Sequence, residues 1–159
     1  MMVSFIKPTV IDIQKMQQLV AQEVKNGNIL DRSASEMATT IRSYIVAYDD
    51  DIIVGFVALH IHTDTLCEIR SLVVDSDFRT KGIGTELINR AITEAKLYGL
   101  KTVLVLTYQQ KLFEKLGFKV IAKESIPETK IWLDCIKCKH FPICDEIALT
   151  LEPLANSNK

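Results

Sequence analysis

Leu66-Cys67-Glu68-Ile69-Arg70-Ser71-Leu72-Val73-Val74, and after a short link Arg79-Thr80-Lys81-Gly82-Ile83-Gly84-Thr85, set the frame for the whole chain. The first stretch has the length and composition of a β-strand. The second places two glycines one residue apart, immediately before an amphipathic helix. In that helix Ile83, Leu87, Ile88, Ala91, Ile92 and Ala95 recur at helical spacing, and Glu86 and Arg90 pair at i,i+4 on the opposite, wet face. Gly99 suits the left-handed position that ends it. Val103-Leu104-Val105-Leu106 is then a continuous apolar run of strand length, the pattern of a strand covered on both faces in a parallel sheet. Residues 66–106 therefore read as a strand–helix–strand crossover, right-handed by the chirality of such units.

The flanking elements follow from this unit. Tyr44 to Tyr48 leads through the acidic turn Asp49-Asp50-Asp51 into a return strand, Ile52 to His62. Thr63-Asp64-Thr65 turns again into Leu66, so three strands form a meander. Upstream, Ile13, Met16, Val20 and Val24 mark a helix from about Asp12 to Lys25, with Asp12 as its N-cap and Asn26-Gly27 as its end. Ser33 and Glu36 form a capping box for a second helix reaching about Arg42. Phe5-Ile6-Lys7 opens the chain as a strand that stops at Pro8. Downstream, a short helix from Gln110 to Leu116 ends at Gly117, Phe118 to Lys123 is a strand, and Glu146 to Leu151 is a late strand expected to pair with it. The order βααβββαβαβ, with a further strand at the end, predicts an α+β fold on a sheet of mixed direction. One domain is expected over residues 1–154, with a Cys-containing segment at 132–146 and a flexible tail at 155–159.

The chain has 159 residues, 48% apolar and 25% charged, close to the globular averages of about 45–50% and about 25%, which excludes disorder for its bulk. Nineteen Lys and Arg against 20 Asp and Glu give a net charge of −1, without the basic excess of a nucleic-acid binder. The longest mostly apolar run, Ile52 to Ile61, falls well short of the ~20 residues a membrane-spanning helix needs. The N-terminus lacks a long apolar stretch and a small-residue cleavage site, so a cytoplasmic location is expected. In that compartment thiols stay reduced. Cys135, Cys138 and Cys144, with His140 between them, have the residue types of a zinc site; partly buried free thiols are the other reading.

Two glycines at a helix start let a ligand approach the backbone closely, and the amide N–H groups there, aided by the helix dipole, suit a pyrophosphate. Arg79 and Lys81 would add charged hydrogen bonds at its rim. An ordinary loop that starts a helix would look similar. The missing Lys-Ser/Thr ending and third glycine separate it from the Walker and dinucleotide loops.

The Arg-x-x-Gly-x-Gly pattern after a Leu-Val-Val strand resembles the acetyl-coenzyme A motif of the GNAT acetyltransferases. Phe113-Glu114-Lys115-Leu116-Gly117-Phe118 is similar to that family's second marker. The resemblance covers about Ser4 to Lys123. It implies the GNAT fold, a mixed, mostly antiparallel splayed sheet flanked by helices, with acetyl-CoA as co-substrate between the strands near Val74 and Leu104. Pyrophosphate would lie on Arg79, Thr80, Lys81, Gly82, Ile83, Gly84 and Thr85, pantetheine would pair with the backbone of Leu72, Val73 and Val74, and Phe113 would belong to the cofactor site. More narrowly, Glu68-Ile69-Arg70-Ser71-Leu72-Val73-Val74, Val105-Leu106-Thr107 and Ile126-Pro127-Glu128-Thr129-Lys130 look like the acetyltransferase domain of bacterial N-acetylglutamate synthases. Trp132-x-Asp134-Cys135-x-x-Cys138 resembles short, stand-alone members of that group. The longer synthases carry an arginine-binding domain that 159 residues cannot contain. Phe113 stands where many acetyltransferases place a tyrosine general acid.

Acetyl transfer from a thioester to an amine requires the amine to lose a proton during attack. Glu68, beside the expected cofactor strand, is the candidate base; a salt-bridged strand residue is the alternative. In a regular strand Arg70 shares its face, so it would hold a substrate carboxylate or else pair with Glu68 itself. Tyr108, at the end of the second cofactor strand, is the candidate acid toward the thiolate, or a peripheral aromatic. A strand N–H near Val73 would face the oxyanion. Lys130 would reach a second carboxylate, or stand exposed at the surface. His60 and His62 read as strand residues, and alternation turns Cys67 away from Glu68. The expected reaction is direct transfer to an amino-acid α-amine, L-glutamate first, as in arginine biosynthesis. The rivals are another small amine, a protein N-terminus, or a non-catalytic acyl-CoA-binding or metal-binding module. No nucleic acid or membrane partner is expected; a homodimer is one option for the oligomeric state.

Overall fold

Ile13, Met16 and Val20 are the buried face of helix α1, Ile13–Lys25, in the computed structural model of the chain. The structure describes residues 2–126, 146–152 and 154. Besides α1 the elements are, in chain order, β1 Val3–Ile6, α2 Ala34–Thr39, β2 Tyr44–Asp49, β3 Ile52–Ile61, β4 Leu66–Val74, α3 Ile83–Leu97, β5 Thr102–Thr107, α4 Gln110–Lys115, β6 Lys119–Val120 and β7 Ile147–Leu151. The sheet order is β1-β2-β3-β4-β5-β7-β6. β4 and β5 run parallel, while β1–β2, β2–β3, β5–β7 and β6–β7 are antiparallel. This is the mixed α+β architecture expected from the sequence. No described helix is long and apolar enough to cross a membrane.

Several local expectations need correction. Asp12 does not cap α1. Its backbone is already helical (φ −80°, ψ −13°), whereas a cap residue is extended. Thr9 takes that role, in a capping box around a 3-10 turn, Val10–Asp12. The Asp12 carboxylate instead accepts the Tyr48 hydroxyl at 2.5 Å. Burial alone would raise this carboxyl, but the Tyr48 hydroxyl, Thr9 and Lys15 outweigh it and hold it below its ordinary range. Burial, and then the Asp12 partner, push Tyr48 up to about 12. The Ser33–Glu36 box is present, yet α2 ends at Thr39 and a 3-10 turn, Ile41–Ser43, follows. β6 has two residues rather than six, both exposed, as suits a short edge strand. β7 pairs with it as expected but also inserts beside β5, with Thr107↔Ile147 through Val103↔Leu151 in register.

The chain forms two compact units, Met1–Leu59 with Ser71–Ala91, and His60–Arg70 with Ile92–Lys159. The core of the first gathers Ile13, Met16 and Val20 of α1, Met37 of α2, Tyr44, Val46 and Tyr48 of β2, Phe56 and Ala58 of β3, and Val73 of β4. The period-two spacing within β2 and β3 puts these residues on one strand face. In the second unit Cys67 and Ile69 of β4, Val103, Leu104 and Val105 of β5, and Ala148 and Leu149 of β7 are all buried. That burial explains the uninterrupted apolar run in β5. The parallel β4–β5 register spans Leu66↔Thr102 to Ile69↔Val105, while β4 itself continues to Val74.

Gly55, in the middle of β3, makes the tightest fit in the first unit. A Cβ there would lie 2.9 Å from the Val73 carbonyl oxygen, 3.3 Å from Leu87 Cδ1 and 3.5 Å from Ile83 Cγ2. The absent side chain lets α3 descend onto the strands beside the end of β4, the use of an interior strand glycine for close backbone approach. Gly55→Ala is expected to destabilise the protein by about 1–3 kcal/mol through overpacking. Urea unfolding at wild-type midpoint would show that this contact relaxes freely.

Candidate functional site

The glycine loop hangs from the end of β4. Asp75 N donates to the Val54 carbonyl at 2.8 Å, and the Asp75 side chain accepts from Asp77 N at 2.9 Å, capping a 3-10 turn, Ser76–Phe78. Arg79 is extended, Thr80 has φ 67° and Gly82 has φ 82°. The first bond of α3 is Glu86 N to Gly82 O, 3.0 Å. The amides of Ile83, Gly84 and Thr85 precede it, and by helix geometry they face out from the helix start. Gly82 is required by its backbone, since a Cβ there would meet nothing within 4 Å. Gly84 differs: a Cβ would make an ordinary 3.6 Å contact with Val74 Cγ2. The fold itself thus tolerates a methyl at residue 84, which would pack against Val74. Arg79 folds back, its Nε donating to the Val74 carbonyl at 3.3 Å and its guanidinium 3.7 Å from Glu23. It remains more than half exposed, and Lys81 is exposed as well.

In the other unit Glu68 is 2% exposed and His62 Nε2 lies 2.9 Å from its Oε1. His62 was expected to be an ordinary strand residue; it lies one residue beyond β3, and its side chain is the carboxylate's partner. No sequence spacing signals this contact, because the turn geometry of residues 63–65 sets it. Cys67 points away from that side, its thiol donating to the Thr102 carbonyl at 3.5 Å. Burial first, and the neighbouring Glu68 charge second, push this thiol up to about 12. Arg70 is half-buried, and Ser71 directly after it has φ 59°. A left-handed residue interrupts the pleat, so side-chain alternation counted from Glu68 does not carry on to Leu72, Val73 and Val74.

Tyr108 stands at the surface just past β5, 45% exposed. Phe113 is in the core of α4, 1% exposed, and its ring meets Phe118 edge-on at 5.2 Å. It is a packing residue here, without an exposed face for a ligand. Lys130, Cys135, Cys138 and Cys144, and nearly all of the 132–146 segment, lie outside the described residues. Among the described residues no group of three His, Cys, Asp or Glu side chains is arranged to hold a metal.

A cavity of about 180 Å³ opens within the first unit between α1, α2 and the strands. Its walls include Gln17, Arg32, Met37, Tyr44, Phe56 and Ser71. Gln17 Nε2 donates to the Arg32 carbonyl at 3.2 Å, tying the segment before α2 to α1. The sequence reading passed over Arg32; its position immediately before the Ser33 capping box, where the chain must close onto the sheet, was the available signal.

A family model for the acetyltransferase (GNAT) domain matches residues 40–120, and this chain belongs to that family. It is 36% identical over 138 residues to an uncharacterized N-acetyltransferase of Chlorobaculum tepidum, covering 87% of this chain and 88% of the relative. It is 31% identical over 136 residues to the amino-acid acetyltransferase of Mycobacterium tuberculosis, covering 83% and 75%. With the amino-acid acetyltransferase of Ectopseudomonas mendocina it shares 28% over 124 residues, 77% of this chain but 29% of that protein. The fold is similar, with a TM-score of 0.86 and 22% identity, to N-acetylglutamate synthase from Neisseria gonorrhoeae complexed with coenzyme A and N-acetyl-glutamate, covering 98% of this chain and 36% of that one.

The buried thiol yields a direct test. Since the thiolate is the reactive species, Cys67 at pH 8 should be alkylated by iodoacetamide at least about a hundred-fold more slowly in the folded than in the urea-unfolded chain. Its rate should climb only as pH rises toward 12. Peptide mapping that finds Cys67 modified at the unfolded rate would reopen a covalent acyl-enzyme route.

Proposed function

We propose that this protein is an acetyl-CoA-dependent amino-acid N-acetyltransferase whose acceptor is the α-amine of L-glutamate, giving N-acetyl-L-glutamate for arginine biosynthesis. The observation that carries the reading is Glu68, a carboxylate buried in the strand that runs into the glycine loop. A purely structural strand residue at such a position would normally be apolar, because burying a charge is costly unless it is answered. The relatives named as amino-acid acetyltransferases and the Neisseria complex support the substrate class.

Acetyl-CoA supplies the activated acetyl group. The residues present fit it: the left-handed Thr80 and Gly82, the open space beside Gly82 and the outward amides of Ile83 to Thr85 suit a pyrophosphate. Arg79 and Lys81 add charge at the rim, and the Leu72 to Val74 backbone pairs with pantetheine. Glu68 takes the amine proton and Tyr108 returns one to the thiolate. Arg70 holds the α-carboxylate. The side-chain carboxylate falls to a further cation, for which Lys130 is the candidate.

Three experiments follow. Gly84→Ala should fold with equal or greater stability, because Ala is the better helix former by about 1 kcal/mol, yet bind coenzyme A at least about ten-fold more weakly by calorimetry. Unchanged affinity removes the loop from the site. In steady-state assays L-glutamate should exceed L-glutamine by roughly ten- to a hundred-fold in kcat/KM, since glutamine loses one charged hydrogen bond of about 1.5–3 kcal/mol. Glu68→Gln should lower kcat by about 10²–10⁴ with coenzyme A affinity intact. Equal use of glutamine sinks the glutamate reading, and a fully active Glu68→Gln enzyme sinks the base assignment.

A further inference from the structure

Glu68 lies opposite Leu104 in the parallel β4–β5 ladder, with buried Cys67 and Ile69 on either side. A carboxylate in such surroundings needs a polar partner. His62 provides it: the imidazole Nε2 is 2.9 Å from Glu68 Oε1, and the two side chains are 1% and 2% exposed. The β3–β4 turn holds the ring there. His62 N donates to the Leu66 carbonyl at 2.9 Å, and Thr63 Oγ1 accepts from the amides of Leu66 at 3.0 Å and Thr65 at 3.2 Å. The His60 ring stands edge-on to it, centroids 4.6 Å apart.

The partners define the tautomer. An ionised carboxylate only accepts hydrogen bonds, so Nε2 carries the hydrogen. The other ring nitrogen, Nδ1, is buried and has no hydrogen-bond partner among the described residues. With the carboxylate as acceptor, the imidazole donates through Nε2 to one of its oxygens.

We propose that His62 is the positioning residue of the catalytic base: by bonding Oε1 it fixes the plane of the carboxylate that receives the amine proton. In that step an N–H bond of the acceptor breaks and an O–H bond forms on the Glu68 carboxylate. The nitrogen lone pair makes the bond to the acetyl carbon, and the C–S electron pair departs with the thiolate. His62 keeps its own proton throughout. The inference rests on Glu68 being the base, so its test has one arm that needs no turnover.

His62→Leu should lower kcat roughly ten- to a hundred-fold, the worth of one charged hydrogen bond, with the KM for acetyl-CoA changed less than about two-fold. His62→Gln, whose amide offers a donor at similar reach, should recover kcat to within about three-fold of wild type. In a Glu68→Gln background His62→Leu should cost less than about a further two-fold. Full activity in His62→Leu, equal losses in the Leu and Gln variants, or losses that simply multiply in the double variant would each overturn the proposal. Independently of activity, imidazole nitrogen NMR of the wild-type protein should show His62 protonated on Nε2; protonation on Nδ1 overturns the proposal even if turnover is normal. A protein with the expected tautomer that acetylates no amino acid would overturn the acceptor assignment instead.

Discussion

The 2.9 Å separation between a hypothetical Gly55 Cβ and the Val73 carbonyl oxygen is the constraint on which the first unit turns. Any side chain on that residue would have to push away either the end of β4 or the first two turns of α3, where Ile83 and Leu87 pack. Because neither moves, the start of α3 is seated directly after β4. The eight intervening residues, 75–82, must then reverse direction, with Thr80 and Gly82 in the left-handed region. The outward-facing amides of residues 83–85 follow from close packing several residues away.

Backbone strain collects at the same end of β4. Three described residues other than glycine have positive φ. Asp50 sits in the β2–β3 turn, where such a conformation is routine, whereas Ser71 and Thr80 flank the end of β4. Conformations of this kind cost of order 1–3 kcal/mol each and persist where surrounding structure over-determines them. Ser71 ends the regular pleat one residue after Arg70, and Thr80 opens the turn into α3. Along the same strand Glu68 is buried and bonded to His62. A strand optimised for stability alone would contain neither a buried carboxylate nor a left-handed serine.

Periodicity and capping chemistry are local, and where they govern a feature the sequence was legible. β4 occupies Leu66–Val74 as read, α3 buries the anticipated Ile83, Leu87, Ile88 and Ala91, and Ser33 caps α2 with Glu36. Asp12 was misread because two adjacent residues, Thr9 and Asp12, both have capping side chains. The choice between them depends on Tyr48, which lies 36 residues away and claims the Asp12 carboxylate. β6 was overestimated because Phe118 looks like strand but is drawn into the core by Phe113. The insertion of β7 between β5 and β6 left no trace in either strand's composition, since a strand flanked on both sides and one at an edge can share the same short apolar run.

From its residues alone this chain was committed to a mixed α+β sheet, a strand–glycine loop–helix unit suited to a pyrophosphate, and a carboxylate, Glu68, beside it. Those features depend on side-chain period and on glycine's freedom at positive φ, both carried within a few consecutive residues. Tertiary structure alone decided that Glu68 is buried with His62 as its partner, that Arg32 lines a cavity with Tyr44 and Phe56, that Cys67 is sealed against the Thr102 carbonyl, and that Gly55 rather than Gly84 is packed too closely to carry a side chain. Each of these depends on groups brought together by the turn between two strands, by the register of two strands, or by the depth to which a helix settles on the sheet. Such distances are set by packing of the whole unit and are not written in any local stretch of sequence.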